Sequence, residues 1–561
     1  MTLTYQDEKT PAAGRLWRDS SLQLKLFSLF VIIQPFLDYY FLFSEEIKRY
    51  TLISPSTIIR CLFIGVMFVC TLYARRKSKR MWIAWGIYFA VTAVYYVAHM
   101  LANAAFPYEL PAFFQFTLME ETVYIIRLLL PLILLFLTFH QAFTWEHVRF
   151  ITIAMALIIS GTIIITNLLK VSLVAYSTEP VVNEYSFLSW FDNTDYEKFN
   201  YMTSKGWFYM ANIVSGVVLL LFPLLLMYFI QKPGAVNMIA LMTLSLSMLI
   251  IGTRVCLYSM VLSFVVVPGI YLIDALMHKK LVFRKHLLWL LLPVLLVVLI
   301  YPYSPYPERN QAQATRHRKH VFSGSVSEQY MEEAAQEEEK PSQEEKKEDT
   351  NAKSDAQEQT KGDTANIKKE TNEQKTTENK IEELTKALQK TKMRRHFFTE
   401  YYPVSYDYDF WLRLTTTMDY ADIDDPREQQ KLVSDRIFEK LQDQKPVYML
   451  LGVGHSRLAT GQTVLEQDFI VQYYKLGIAG VLLFYLPYLL LISACIIHIL
   501  RKFKTRFDPE MVTMLFAFVL FFAASVNSGH LIDELFPMLP LAFYLGYVCK
   551  RLFKRKEQAE G

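Results

Sequence analysis

The sequence offers little for disulfide or metal chemistry. It contains five cysteines, and all five lie in apolar segments rather than in the long polar loop. No Cys-x-x-Cys pair and no cluster of histidine with cysteine has the spacing of a metal site. We therefore expect neither a disulfide framework nor a metal or other cofactor. A cleavable signal pattern is also missing, and the apolar run that begins at Leu22 is interpreted as a first membrane helix.

Apolar sequence is what the chain has in abundance. Hydrophobic residues make up 53% and aromatic residues 15% of its 561 residues, and the mean hydropathy is positive. Several apolar runs reach about 20 residues, which is enough to cross the hydrocarbon core of a bilayer. We therefore predict an all-α polytopic membrane protein with about 12 transmembrane helices. The predicted spans are 22–43, 53–74, 82–102, 119–139, 148–168, 207–230, 237–253, 255–277, 285–301, 477–499, 510–526 and 534–552.

Clusters of lysine and arginine set the expected orientation. With these spans the clusters fall on one side of the membrane, which the positive-inside rule makes the cytoplasm. We expect a multi-pass protein of the cell membrane with cytoplasmic N- and C-termini and a long extracytoplasmic loop between helices 9 and 10. The net charge of +4 reflects these topological signals and implies no nucleic-acid partner. The expected parts are a membrane domain at 1–301, the loop at 302–465 and a second membrane domain with a tail at 466–561.

A charged insert divides the long loop. Residues 331–392 are rich in Glu, Lys, Gln and Thr and have almost no apolar side chains, so we predict a disordered or weakly helical segment. One helix is expected between Glu382 and Lys392. From Phe397 the loop is aromatic again, and the apolar spacing within 427–443 predicts a helix. The loop is therefore expected to fold on the membrane surface around an additional segment.

Charged side chains inside spans are expensive and often functional. Asp38, Arg60 and Arg127 lie in the first, second and fourth predicted spans. They either pair inside the bundle or contact a substrate, and the sequence leaves both readings open. Arg254 lies in an almost loop-free turn between two spans. It either reaches water by snorkelling or offers a planar, permanently charged fork to phosphate oxygens.

The motifs around these residues resemble the O-antigen ligase and polysaccharide polymerase family. Glu466-Gln467, nine residues and Gly477-x-x-Gly480 resemble its signature, in which His-Asn or a similar pair precedes nine residues and Gly-x-x-Gly. The segment from Arg436 to Gly454 resembles its arginine helix and the Gly-x-Gly turn that follows. Gly252-Thr253-Arg254 resembles its short basic turn, and Gly206-Trp207-Phe208 with Asn212 resembles the start of its span after the first long loop. The resemblance covers about residues 20–555 without the insert.

This resemblance implies a membrane glycosyltransferase. Such enzymes transfer or polymerise a glycan from an undecaprenyl-pyrophosphate carrier onto an acceptor glycan or lipid at the outer face of the cytoplasmic membrane, for envelope or exopolysaccharide assembly. By the resemblance, Arg254 and Arg436 bind the pyrophosphate without a metal, and Arg427 and Arg413 are further candidates.

The position of the general base is where the chain departs from the family. Glu466 stands where family ligases carry histidine, so it is either the base or a salt-bridge partner of an arginine. Asp468 and His455 are the other candidates for the base. This departure fits a polymerase, or a ligase for an envelope glycan other than lipid A, better than a lipid A ligase. Gly477 and Gly480 are expected to allow close backbone approach or close helix packing.

A transporter or flippase for lipid-linked glycans is the alternative function. About 12 spans with intramembrane charges suit that class as well, but it predicts two similar halves with interrupted helices. The sequence has no convincing repeat, and its candidate residues cluster at one face instead of at the membrane midplane.

Overall fold

Helices dominate the structure, a computed structural model that describes residues 20–43, 53–105, 115–177, 180–192, 198–278, 285–310, 378–417, 426–459, 467–501, 503 and 507–559. The principal helices are α1 (Leu22–Ile32), α2 (Pro55–Ala74), α3 (Lys79–Ala104), α4 (Leu118–His140), α5 (Trp145–Leu168), α6 (Ala211–Gln231), α7 (Ala235–Ile251), α8 (Arg254–Met277), α9 (Leu291–Ile300), α10 (Tyr408–Thr417), α11 (Pro426–Gln444), α12 (Val447–Leu451), α13 (His455–Ala459), α14 (Asp468–Phe484), α15 (Leu486–Leu500), α16 (Pro509–Asn527) and α17 (Leu535–Ala559). Shorter helical segments are Gln34–Leu37, Asp38–Phe43, Phe187–Phe191, Lys198–Tyr201, Lys285–Leu290, Tyr301–Tyr303 and Phe397–Tyr401. Strands β1 (Leu173–Val174) and β2 (Ser204–Gly206) pair antiparallel.

Membrane-spanning helices confirm the predicted fold class. Among the described residues, eight helices are long and apolar enough to cross a bilayer, or nine if Leu22–Ile32 and Gln34–Phe43 form one bent span. That pair bends by 53°, and Pro35 near the bend has no N–H to continue the helical hydrogen bonds. Each predicted span contains a described helix. However, α7 and α9 are short and α17 is basic in its last turns, so the prediction of about 12 spans stays a prediction.

The core of the bundle is built around α6. Its entire apolar window is buried within the protein, which is typical of a helix that is hydrophobic on every side. It packs against α7, α8, α16 and α17, while α4 packs along α17 and α5 packs along α7. Helix α6 thereby connects the two membrane parts of the sequence, which the long loop separates.

Several helices begin near one another at an end of the bundle that we call the loop end: α4, α6, α8, α14 and α17. Contacts near their first turns join them. Ser215 Oγ lies 2.8 Å from Thr253 Oγ1, and the N–H of Leu531 donates to Asp468 at 2.8 Å. Helix α6 also touches the segment before α17, because a Cβ on Gly216 would collide with the side chain of Leu531.

A second hydrophobic cluster, which we call the loop module, packs on the loop end. It contains residues of α10, α11 and α12 and the aromatic residues from Phe397 onward. The predicted helix at 427–443 is confirmed as Pro426–Gln444. The helix expected between Glu382 and Lys392 is present at 378–389, but Leu384 and Leu388 are buried in the module, so this end of the insert differs from the predicted disordered or weakly helical segment. Two leucines spaced by four residues give this stretch an apolar face, so it belongs to the folded part.

Candidate active site

A break in α14 forms the centre of the loop end. Gly477 interrupts the helix with φ 65° and ψ −179°. Backbone N–H groups of Val453 and Gly454 donate to the carbonyls of Tyr474 at 2.9 Å and Lys475 at 3.1 Å. These donors replace helical partners that the break removes. The Gly-x-Gly turn and the Gly-x-x-Gly motif of the sequence are therefore two sides of one contact.

Buried polar groups of α3 and α4 hold this turn in place. The Glu121 carboxylate accepts hydrogen bonds from the Ser456 N–H at 2.6 Å and the Ser456 hydroxyl at 2.8 Å. His99 lies between Glu121, at 3.3 Å, and the carbonyl of Leu451, to which its Nδ1 donates at 2.6 Å. Arg457 donates to the carbonyl of Asn103 at 2.6 Å. These contacts fix the chain on the N-terminal and C-terminal sides of His455.

His455 stacks on Tyr124. The ring centroids are 3.8 Å apart and the planes differ by 4°. Burial, followed by the nearby Lys475 ammonium, lowers the pKa of His455 to about 3, so the imidazole is neutral at physiological pH. Among the described residues its Nδ1 has no hydrogen-bond partner. A neutral imidazole with a nitrogen available can accept a proton, and an anion bound nearby would raise its pKa.

Two adjacent carboxylates before α17 complete the polar cluster, and the sequence analysis missed both. Asp533 pairs with Lys475 at 2.7 Å, and Glu534 pairs with Arg127 at 2.6 Å. Asp533 also accepts from Tyr124 Oη at 2.6 Å. Burial alone would raise the pKa of Asp533, but the Lys475 ammonium and these hydrogen bonds outweigh it and hold the pKa well below its usual range. The available signal was an acidic pair at the start of an apolar span and a lone lysine two residues before Gly477.

Asp468 is occupied by backbone groups. Its carboxylate accepts N–H donors from His530 at 2.5 Å, Leu531 at 2.8 Å and Ile532 at 3.0 Å. These bonds fix the segment that carries Asp533 and Glu534. The geometry therefore favours a structural role for Asp468 over the role of a base.

The charged residues of the first and second spans meet the same cluster. Asp38 accepts from the Tyr209 N–H at 3.5 Å, and Arg60 Nε donates to Gln34 at 2.9 Å. Asp38, Arg60, Arg127 and Glu534 act electrostatically on one another. The three residues that the sequence left open between packing and substrate binding are therefore one group with Glu534.

Cationic side chains gather around the turn before α8. Arg254 is the first residue of that helix, and the Thr253 hydroxyl caps it by accepting from the Cys256 N–H at 3.3 Å. Arg309 donates to the carbonyl of Gly252 at 2.8 Å and to Tyr176 Oη at 2.6 Å.

Lys205, in the neighbouring strand β2, is almost fully buried and donates to the carbonyl of Ser177 at 2.6 Å. Burial lowers its pKa to about 8. The sequence analysis missed Lys205 and Arg309, although a lysine directly before the Gly206-Trp207 motif was a usable signal.

Arg436 lies in the loop module and is bound there. Its Nε donates to Asp407 at 2.9 Å, and its guanidinium lies over the ring of Phe410. Asp407 also accepts from Tyr402 at 2.9 Å. Burial opposes ionisation of this pair, but the mutual hydrogen bond lowers the pKa of Asp407 and raises that of Arg436.

The remaining candidates contribute less to the described geometry. Arg413 is exposed and donates from Nε to the carbonyl of Asp409 at 3.3 Å. Glu466 and the side chain of Arg427 lie outside the described residues.

Arg254 and Arg436 nevertheless lie at the same end of the protein. The module is attached to the loop end by Asp435, which accepts from Tyr474 of α14. Tyr448 of α12 also donates to the carbonyl of Ala102 at 3.1 Å. Arg254 starts α8 at that end. The structure thus brings His455, Arg127 and Asp468 into one cluster, and the Arg254 turn and the Arg436 module lie at the same end of the bundle.

The comparison with known families agrees with this arrangement. The family described as O-antigen ligase like membrane protein matches residues 21–554. Neither the curated proteins nor the solved structures contain a match. The family match spans both membrane parts, the broken helix and the loop module. The chain therefore belongs to the O-antigen ligase-like membrane proteins, a family of enzymes that transfer glycans at the membrane.

Proposed function

We propose that the protein transfers or polymerises a glycan from an undecaprenyl-pyrophosphate carrier onto an acceptor hydroxyl at the outer face of the cytoplasmic membrane. The observation that carries this proposal is the polar cluster at the loop end. There the neutral His455 imidazole, the arginines Arg60 and Arg127, and the ion pairs of Lys475 and Arg127 lie around the break in α14. Helix α6 separates the cationic groups at the Arg254 turn from this cluster, because its Ser215 contacts Thr253 and its Gly216 contacts Leu531. Such an arrangement suits a reaction between a lipid-linked phosphate and a hydroxyl.

The reaction can be written with these groups. An acceptor oxygen bonds to the anomeric carbon of the donor sugar, while the bond from that carbon to the pyrophosphate oxygen breaks. The electron pair leaves with undecaprenyl pyrophosphate, and the hydroxyl proton passes to a base. Positive charge aimed at the departing oxygens lowers the barrier without a metal. We assign this task to Arg254, and we add Lys205 and Arg309 as its neighbours.

His455 is the base that the described geometry supports best. Its imidazole is neutral, is oriented by Tyr124 and has a nitrogen available within the described residues. Asp468 is less suitable because three N–H groups use its oxygens. Glu466 remains a proposed alternative from the sequence.

Arg436 is proposed to bind pyrophosphate only if the substrate displaces Asp407; otherwise it stabilises the loop module. Arg413 and Arg427 are further candidates for binding pyrophosphate.

Reconstituted protein tests the proposed function. Purified full-length protein in liposomes is given an undecaprenyl-pyrophosphate-linked oligosaccharide, and new glycosidic bonds are scored by mass spectrometry. We expect longer or transferred glycans from the wild type. The flippase alternative predicts movement of the donor between leaflets with no new glycosidic bond. That result would reject the transferase.

A further inference from the structure

The two ion pairs before α17 differ in accessibility. Lys475 and Asp533 are 7% and 9% exposed, and Tyr124 also donates to this carboxylate. Arg127 and Glu534 are 22% and 28% exposed. Within the described residues, Arg127 is the hydrogen-bond partner of the Glu534 carboxylate. The first pair is built into the core, whereas the second can exchange partners with a ligand.

Arg127 and Arg60 each have a hydrogen-bond donor that pairs with none of the described residues. Arg127 Nε and Arg60 Nη2 are buried without an acceptor, and Arg60 is only 4% exposed. Buried donors are nearly always paired in proteins, so two such N–H groups on arginines that act electrostatically on each other point to a ligand with acceptor oxygens. Arginine favours phosphate and carboxylate oxygens because its donors form a planar fork.

The pocket beside this pair is lined by both charged and apolar residues. Arg127, Asp533 and Glu534 are its charged residues. The rest of the lining is mainly apolar or aromatic: Leu128, Pro131, Phe484, Tyr485, Tyr488, Ile532, Leu535 and Met538. A ligand that joins a group able to bind Arg127 to a hydrocarbon chain has counterparts in both kinds of side chain. Arg127 lies within the span α4, whereas Arg254 is the first residue of α8.

We propose that Arg127, with Arg60 beside it, binds the phosphate next to the prenyl chain of the carrier. Glu534 is a built-in carboxylate that holds Arg127 until the carrier displaces it. This proposal rests on the proposed function and adds a second cationic position to the Arg254 turn. A diphosphate carries more negative charge than a carboxylate and offers more acceptor oxygens, so exchange of Glu534 for the ligand strengthens the contact to Arg127.

Binding of farnesyl diphosphate to the purified full-length protein tests this exchange without requiring glycan transfer. We expect Glu534→Gln to tighten the dissociation constant several-fold, because the competitor is neutralised. Arg127→Gln should weaken it by about tenfold or more, the effect of losing a charge-assisted hydrogen bond. Glu146→Gln is the matched control. Glu146 is 26% exposed and pairs with Lys232 at 2.9 Å on another helix end, so its neutralisation should change nothing.

The outcomes separate this inference from the proposed function. A gain of affinity in Glu534→Gln cannot arise from misfolding, so it supports the exchange directly. If Glu534→Gln weakens binding as Arg127→Gln does, the carboxylate only positions Arg127 and the proposal fails. If neither variant changes binding while Arg254→Ala abolishes it, the Arg127 site is rejected and the proposed function stands. Failure of the wild type to bind farnesyl diphosphate, compared with farnesol and inorganic pyrophosphate, counts against both.

Discussion

The backbone of Gly452 lies directly against the backbone of Gly477. A Cβ on Gly477 would lie 2.5 Å from the nitrogen of Gly452, and a Cβ on Gly452 would lie 2.6 Å from the nitrogen of Gly477. Both residues have positive φ, at 77° and 65°, which side chains other than glycine rarely adopt. This contact inserts the turn that carries His455 into the break of α14, so the geometry of the polar cluster depends on it.

Alanine at Gly477 should therefore destabilise the protein strongly. Backbone strain and the collision with the turn together are expected to cost about 2–4 kcal/mol. Thermal unfolding of the detergent-purified variant, followed by fluorescence-detected size exclusion, measures the loss. Gly86→Ala is the control, since nothing lies within 4 Å of a Cβ there. Equal unfolding temperatures for the two variants would contradict the described contact.

His455→Gln should lower the turnover number more than it changes KM for the donor lipid. General-base catalysis contributes about 10²–10⁴-fold in rate, so a loss of at least 10²-fold is expected. Initial transfer rates at varied donor concentration separate the two constants. Glu466→Gln is measured in parallel, and if it alone abolishes turnover, the base is Glu466 and His455 is a packing residue.

Lys205 gives the reaction a pH dependence on the alkaline side. Burial lowers its pKa from 10.5 to about 8, so the ammonium is present below pH 8 and is lost as the pH rises above that value. The KM for the donor should be flat below pH 8 and rise above it. Lys205→Arg keeps the charge and should flatten the profile.

The same shift affects stability with a definite sign. Between pH 8 and pH 10.5 the unfolded chain binds the Lys205 proton while the folded chain does not. The contribution of this residue to the unfolding free energy should therefore increase with pH in that window.

A donor KM that stays flat through pH 10 in the wild type would contradict the assignment of Lys205 to the phosphate site.

Arg436 and Asp407 should behave as one unit. If Arg436 mainly stabilises the loop module, Arg436→Gln and Asp407→Asn each lower the unfolding temperature, and the double variant is no less stable than the worse single variant. A double-mutant cycle on thermal stability and donor KM measures this coupling. A raised donor KM in Arg436→Gln with unchanged stability would instead support its sequence-based assignment to pyrophosphate.

The buried leucines near the C-terminal end of the insert predict which deletions lower stability. Removal of 331–377 should preserve activity, because this stretch has too few apolar side chains to build a packed core. Removal of 331–392 also takes Leu384 and Leu388 out of the module and should lower stability. Transfer activity and unfolding temperature of both deletions provide the comparison. Equal behaviour would show that these leucines contribute nothing.

Sequence patterns predicted the fold class and marked several charged residues of the cluster as unusual, because both depend on local signals. Apolar run length predicted the helices, and the charge of Arg127 inside such a run marked it as unusual. The partner of Arg127 could not be read in this way, since Glu534 is about 400 residues distant in sequence and only tertiary packing brings them together. The partial enclosure of His455 could not be predicted for the same reason. A loop histidine is ordinarily exposed, and here the broken helix and Glu121 enclose it.

We propose that the Arg254 turn and the His455 cluster act together on one lipid-linked donor. Single-turnover transfer from an undecaprenyl-pyrophosphate-linked oligosaccharide is measured for the wild type, Arg254→Ala and His455→Gln at matched amounts of folded protein. We expect new glycosidic bonds in the wild type and a loss of at least 10²-fold in each variant, because charge stabilisation or the base is removed. Transfer at the wild-type rate by Arg254→Ala would show that the two sites do not act on the same donor.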